Sequence, residues 1–277
     1  MSAVEIIPRH RLGRVARTRE GLLDLLAFGR AQALSCAFAV AIFAGLAVTR
    51  VVDVGVPRYD ALLVWCLLVQ VVLVVTRLET RDELLVICVF HVLGLGLEVF
   101  KVAVGSWSYP EPGVLRVGDV PLYSGFMYAA VASYVCQAWR RLDLRVDPVP
   151  MAATMAVAVG FYVNFFTNHW VTDLRWVLLG VATLLIARRS VTFRVRGVDR
   201  RMPLLVSFAL IGVFIWVAEN VATLLGAWTY ASQADGWSLV HPSKIGSWMV
   251  LVIFSFVLVL WLKQRKGGSM ASTGSAA

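Results

Sequence analysis

Two glutamates head a pattern that the chain spells twice: Glu, six residues, Gly, any, Trp, any, Tyr. The first copy is Glu98, Gly105, Trp107 and Tyr109, and the second is Glu219, Gly226, Trp228 and Tyr230. Every matched pair is 121 residues apart, and the same register pairs Pro121 with Pro242 and Gly125 with Gly246. A carboxylate set among apolar residues can give or take a proton, and neighbouring aromatic faces can stabilise a cation. The pattern therefore reads as a duplicated unit with two candidate acid–base positions, Glu98 and Glu219. Trp107, Tyr109, Trp228 and Tyr230 are the candidate substrate-facing groups, and Gly105, Gly226, Pro121, Pro242, Gly125 and Gly246 shape the backbone.

The two copies differ beside the glutamate. Glu98 has Lys101 at i+3, spacing that suits an ion pair and would hold the carboxylate charged. Glu219 has Ala222 there, with Trp216 and Asn220 as neighbours, and is expected to carry a proton. Two carboxylates in unlike environments are what acid–base work requires. Lys101 and Asn220 join the substrate-binding candidates. The bland reading is that each glutamate clamps loop amides folded back over its helix end. Lys101 then only snorkels to the headgroups.

The surroundings of these residues set the solvent. Apolar residues make up 59% of the 277 and charged ones only 16%, against roughly 25% charged in a soluble domain, and the mean hydropathy is +0.76. Long uninterrupted apolar runs point to an all-α integral membrane protein, with helices over about 31–49, 60–76, 84–104, 121–139, 150–167, 174–187, 203–225 and 246–262. Glu98 then lies roughly 9 Å inside the end of its helix at 1.5 Å per residue, where ionisable groups are rare and functional. Of the 26 Lys and Arg residues, 20 fall on the side of the amino terminus and six (Arg50, Arg58, Lys101, Arg116, Arg175, Lys244) on the other. That asymmetry puts both termini in the cytoplasm of a bacterial inner-membrane, multi-pass protein. The offset spans four helices, so the copies form parallel four-helix repeats, 31–145 and 146–266, related by a pseudo-two-fold along the membrane normal. Residues 1–30 read as a basic amphipathic segment on the anionic membrane surface, and 267–277 as a disordered tail.

Other chemistries find no footing. Cys36, Cys66, Cys88 and Cys136 all fall in apolar runs as packing residues, without metal-ligand spacing. His91 reads as a buried histidine. No metal, cofactor or nucleic-acid motif is present, and the net charge of +9 is mostly a topology signal. The GLGLE run at 94–98 has no preceding strand and packs helices.

The segment EVFKVAVGSWSYPEPGVLRVGDVPLYSGFMYAAVASY, with ENVATLLGAWTYASQADGW and HPSKIGSW, resembles the YoaT-like family of bacterial integral membrane proteins, a domain of unknown function. The resemblance spans nearly the whole chain and implies no established activity. More remotely, the order Glu, Gly-x-Trp-x-Tyr, Pro resembles the repeat of membrane lycopene cyclases and carotenoid hydratases. Their paired glutamates after the loop are replaced here by Pro121-Leu-Tyr and Pro242-Ser-Lys. Together these readings favour a redox-neutral acid–base enzyme acting on an apolar isoprenoid or carotenoid-like lipid near the outer leaflet. The alternatives are a proton-coupled small-substrate transporter and a structural or regulatory membrane protein. Membrane lipid and an isoprenoid-like ligand are the expected partners, without cofactor or nucleic acid.

Overall fold

The computed structural model describes residues 14–273, with side-chain surroundings for 18–261. Nine helices are found among the described residues: α1 (Arg14–Ser35), α2 (Ala37–Val51), α3 (Arg58–Val75), α4 (Arg81–Ala103), α5 (Gly125–Arg141), α6 (Met151–Thr167), α7 (Arg175–Ile186), α8 (Leu204–Leu224) and α9 (Lys244–Thr273). Five short strands accompany them: β1 (Arg116–Val117), β2 (Val120–Pro121), β3 (Arg145–Val146), β4 (Ser190–Val195) and β5 (Val198–Pro203). Helix α3, α4, α8 and the 244–261 part of α9 are long and apolar enough to cross a membrane, and the bent pair α1–α2 makes a fifth candidate. The chain is a helical membrane protein, and each expected span falls on a helix. However, α6 and α7 have only 17 and 12 residues. Helix α7 alone covers about 18 Å of a roughly 30 Å hydrocarbon core.

Three departures from the expected spans have local causes. The span expected at 31–49 is broken at Cys36, where α1 and α2 meet at 63°. The Ser35 hydroxyl donates to the Ala31 carbonyl at 2.8 Å, the kind of back-bonding that bends helices. The basic stretch 188–202, read as a plain loop, is an antiparallel hairpin, β4 on β5, with β3 added along β4. Its turn, Arg196–Gly197, has φ of +49 and +78, the two left-handed residues of a type I′ connection. The fourth expected span starts later, because β1, β2 and a 3-10 turn at Leu122–Ser124 precede α5. At the far end α9 continues to Thr273, into the stretch read as a disordered tail. Residues 274–277 lie outside the described residues.

Packing proceeds in matched pairs. Helix α4 lies on α5 and α8 on α9; α2 lies on α3 and α6 on α7; α2 also meets α5, and α6 meets α9. Two large apolar cores result, with a third small one where α5 meets α9 (Val135, Cys136 and Val259). One, from α2–α5, includes Phe38, Leu62, Phe90 and Tyr123; the other, from α6–α9, includes Phe161, Phe208, Ile253 and Phe256. Glycines set two of the closest approaches: a Cβ on Gly94 would lie 2.3 Å from the Tyr128 ring, and one on Gly212 would lie 2.8 Å from Met249.

The connections gather at two ends. At the hairpin end, Asp24 of α1 takes Arg200 at 2.5 Å and Arg196 at 3.2 Å, tying α1 to the hairpin. Residues 1–13 of the expected surface segment lie outside the described residues. Asp199 accepts from Arg194 and Arg145, which hold its carboxyl below the ordinary range. At the other end, the loop end, Arg58 at the start of α3 donates to the carbonyls of Leu225 at 2.5 Å, Gly226 at 3.0 Å and Leu46 at 3.1 Å, and to Glu111 at 2.8 Å. One guanidinium thus caps the carbonyls just past the end of α8, also reaches one within α2, and joins the two halves.

Arg50 also reaches Glu111, at 3.3 Å, with a side chain 56% exposed against 8% for Arg58. Replacing Arg58 with Met should therefore cost about 3 kcal/mol of stability in detergent, in the range for breaking a buried pair. Arg50→Met should cost less than about 1 kcal/mol, as for an exposed pair. Equal losses in chemical unfolding of the two variants would remove Arg58 from its place as the clamp.

Candidate functional site

Helix α4 carries Glu98 and is closed about two turns later at Gly105, whose φ is +74; α8 carries Glu219 and is closed at Gly226, whose φ is +73. In both, the residue after the glycine donates its N–H five residues back, Ser106 to Lys101 and Ala227 to Ala222, each at 2.9 Å. The glycine N–H itself bonds three residues back, closing the helix in a Schellman turn. This turn throws each loop back over its own helix. The two loops then meet, because Ser108 and Thr229 exchange N–H···O bonds at 2.9 Å in both directions.

The reversal brings aromatic donors onto the carboxylates. Glu98, 3% exposed, accepts from Trp107 Nε1 at 2.6 Å and Tyr109 Oη at 2.7 Å, both on Oε2. Its Oε1 accepts from Tyr128 Oη of α5 at 2.7 Å. Glu219, 2% exposed, accepts from Tyr230 Oη at 2.6 Å and from Trp248 Nε1 of α9 at 2.7 Å. An ionised carboxylate offers about four acceptor sites. Glu98 has three of them filled and Glu219 two.

Lys101 does not pair with Glu98, which corrects the expected ion pair. Its stem follows α4 outward, its ammonium sits 4.1 Å from the Phe165 ring centre, and it lies 3.4 Å from Asn168 Oδ1 and 3.0 Å from His169 Nε2. The Glu98 oxygens face α5 and the returning loop instead, where neutral donors already hold them. Asn220 is likewise not beside the carboxylate chemistry. Its amide donates to the Trp216 carbonyl and its Oδ1 accepts the Val240 N–H, both at 2.8 Å, so it fastens the 225–243 loop. Trp228 reaches neither glutamate and stands edge-on to Tyr230 at 6.5 Å. Pro121 ends β2, and the Pro242 carbonyl accepts the Ile245 N–H in the first turn of α9. Gly125 gives room to His91, and Gly246 to the Trp176 ring.

Between the two halves lies a cavity of about 1060 Å³, at the upper limit of ordinary small-molecule sites. Its walls are overwhelmingly apolar, with Leu97, Phe161, Phe208, Ala218 and Phe254 among them. At the loop end it reaches Glu98, Glu219, Lys101, Trp107, Trp228 and Tyr230, but neither Tyr109 nor Asn220. Reasoning from the sequence missed three groups here: Tyr128, Trp248 and Lys244. The Lys244 ammonium lies 4.5 Å from the Tyr230 ring centre and 5.7 Å from that of Trp107. One signal was visible for Tyr128: Gly94 stands one helical turn before Glu98 and leaves the gap that its ring fills.

The contact from Tyr128 to Glu98 predicts a measurable coupling. Tyr128→Phe keeps the ring against Gly94 and removes one charge-assisted donor, so it should cost about 1.5–3 kcal/mol. In a Glu98→Leu background the same change should cost less than half of that. Additive losses in a double-mutant cycle would mean that the hydroxyl and carboxylate do not interact.

Comparison with known proteins agrees with the first resemblance noted above. The chain is 53% identical to "Uncharacterized protein YoaT" of Bacillus subtilis (strain 168) over 245 residues, 88% of this chain and 93% of that protein. Among solved structures it is similar to a mycobacterial Insig homolog from Mycobacterium vanbaalenii. That likeness has a TM-score of 0.47 and 17% identity, over 65% of this chain and 93% of the other. A cross-linked trimer of the same protein matches with a TM-score of 0.47 and 18% identity, over the same shares. The family described as "Protein of unknown function (DUF817)" matches residues 24–256, and the chain belongs to that family.

Proposed function

We propose that the protein holds a long apolar lipid in the cavity between its halves and performs redox-neutral acid–base chemistry on it at the loop end. The observation that carries this reading is the cavity itself, an apolar chamber that ends on two buried carboxylates. Glu219, with two donors, is the proton donor; Glu98, held by three, is the acceptor. A proton passes from Glu219 to one carbon of a double bond in an isoprenoid or similar polyene. The cation that forms faces Trp107, Trp228 and Tyr230, and a neighbouring carbon then releases a proton to Glu98. The double bond has shifted or closed a ring, one proton has moved between the glutamates, and exchange with water resets both.

The same reading takes the chain as two parallel four-helix repeats crossing the membrane eight times, with both termini cytoplasmic and the loop end outside the bacterial inner membrane. Three observations support it. The bridge joins Ser108 to Thr229, residues 121 apart, and its bonds are reciprocal, as a two-fold axis through that point requires. The helix pairings of the first half recur in the second. All six basic residues of the sparse set lie at the loop end, opposite the arginine-rich hairpin.

Protein purified in mild detergent should yield a stoichiometric long-chain apolar compound on extraction and mass spectrometry. Ala218→Trp, which fills the chamber, should reduce that yield several-fold without unfolding the protein. Glu219→Gln keeps the hydrogen-bonding shape and should retain the lipid while abolishing its conversion. If Glu219→Gln and Glu219→Ala melt at equally lowered temperatures and lipid occupancy is unchanged in both, the carboxylate is a structural clamp and the enzymatic reading fails.

A further inference from the structure

The loop end of the cavity carries more positive charge than its carboxylates employ. Lys101, Arg175 and Lys244 all line it and lie within Coulombic reach of one another. Arg175 has a partner: it donates to Asp173 at 3.0 Å and to the Ser247 hydroxyl at 2.9 Å. The lysines have none of that kind. Lys101 is 4% exposed, and its near polar neighbours, the Asn168 amide oxygen and a His169 ring nitrogen, bring no negative charge. Lys244 rests over Tyr230 and Trp107, and no carboxylate comes within 4.0 Å of either lysine among the described residues.

The anions nearby do not fill the gap. Glu219 and Glu98 lie within Coulombic reach of Lys244, but their oxygens are held by five aromatic donors and contact neither ammonium. Asp173 is already shared among Arg175, the Asn164 amide and the Arg175 backbone N–H. An ammonium drawn out of water without a contacting counter-charge is costly, and at the mouth of this apolar chamber Lys101 is buried and Lys244 half-buried. The missing element is a negative charge attached to something apolar.

We propose that this end of the cavity is a headgroup site, and that the ligand is an amphiphile with a long apolar tail and a phosphate or carboxylate head. The head sits between Lys244 and Lys101, with Arg175 behind them, and the tail runs into the chamber towards Phe161 and Phe208. Lysine suits this task, since a compact ammonium on a flexible stem can leave its aromatic resting place and follow a point anion. Charge-assisted contacts of this kind are the stronger class of hydrogen bond. This inference rests on the cavity being a lipid site, and it narrows the lipid to an anionic one.

The test uses the full chain in a non-ionic detergent and two matched pairs of probes: oleic acid against oleyl alcohol, and geranylgeranyl phosphate against geranylgeraniol. Binding is read by quenching of tryptophan fluorescence. The anionic member of at least one pair should bind about ten-fold more tightly, a difference of about 1.4 kcal/mol, and the preference should shrink as salt is raised. Preference for the acid alone assigns a carboxylate head, for the phosphate alone a phosphate head, and for both a site reading charge only. Lys244→Gln should abolish most of the preference while leaving the alcohols unchanged, and Lys244→Arg should restore it if the glutamine variant folds poorly. Alcohols binding as tightly as their anions would overturn the headgroup site and leave the lipid chamber standing. Failure of all four probes to bind, with Ala218→Trp indistinguishable from the unaltered chain, would overturn the chamber itself.

Discussion

A carboxylate buried in an apolar bundle has to be supplied with hydrogen-bond donors, and here that requirement is met twice. Each glutamate costs about 2.5–3.5 kcal/mol at membrane depth by insertion scales. Hydrogen bonds to charged groups return about 1.5–3 kcal/mol each, so two or three donors are enough to offset it. The donors are Trp and Tyr, whose polar atoms sit at the end of large apolar bodies. Those bodies come largely from the loops, so the loops must fold back over the helix ends. The left-handed glycines at 105 and 226 make that reversal possible.

Much of the remaining architecture follows from the reversal. The returning loops meet at Ser108 and Thr229, and Arg58 fastens the Leu225 and Gly226 carbonyls to Glu111. The halves are thereby joined at the loop end, and a smaller apolar cluster of Val135, Cys136 and Val259, joining α5 to α9, links them as well. A chamber is left between them, and its lining is apolar because the polar capacity of the loops is spent on the carboxylates, on Asn220 and on Arg58. The site and the clamp are therefore one structure seen from two sides. Four of the five aromatic donors to Glu98 and Glu219, namely Trp107, Tyr128, Tyr230 and Trp248, also wall the cavity.

The helices were legible in the sequence because a bilayer demands long apolar runs, and the boundaries of α3, α4, α6, α7 and α8 lie within about three residues of the reading. Family membership was legible too, in the loop segments around the two glutamates. The β4–β5 hairpin was not read, although the alternation in SVTFRV was present, because fourteen residues rich in arginine look like a topology signal before they look like a strand. The break at Cys36 leaves no mark in hydropathy. Within the site, residues of the same segment as each glutamate were found. Those from another helix, Tyr128, Trp248 and Lys244, were not, since only packing brings them near. Lys101 misled for the complementary reason: i+3 spacing puts two side chains on one face but does not say which neighbour each turns to.

The two copies of the motif have unlike surroundings although their own residues match. In register, Tyr128 corresponds to Met249 and Met127 to Trp248. Each methionine stands where the other half has a donor. The ring of Tyr128 enters the gap at Gly94 and sends its hydroxyl to Glu98, whereas Met249 enters the gap at Gly212 and offers no proton. Glu219 is served from the next position instead, by Trp248. This frees Trp228, the counterpart of Trp107, to face the cavity rather than a carboxylate. A shift of one residue on the helix after the loop therefore leaves one glutamate with three donors and the other with two. Unlike donor sets for the two carboxylates are thus built in the helices facing the motif, while the motif itself stays constant.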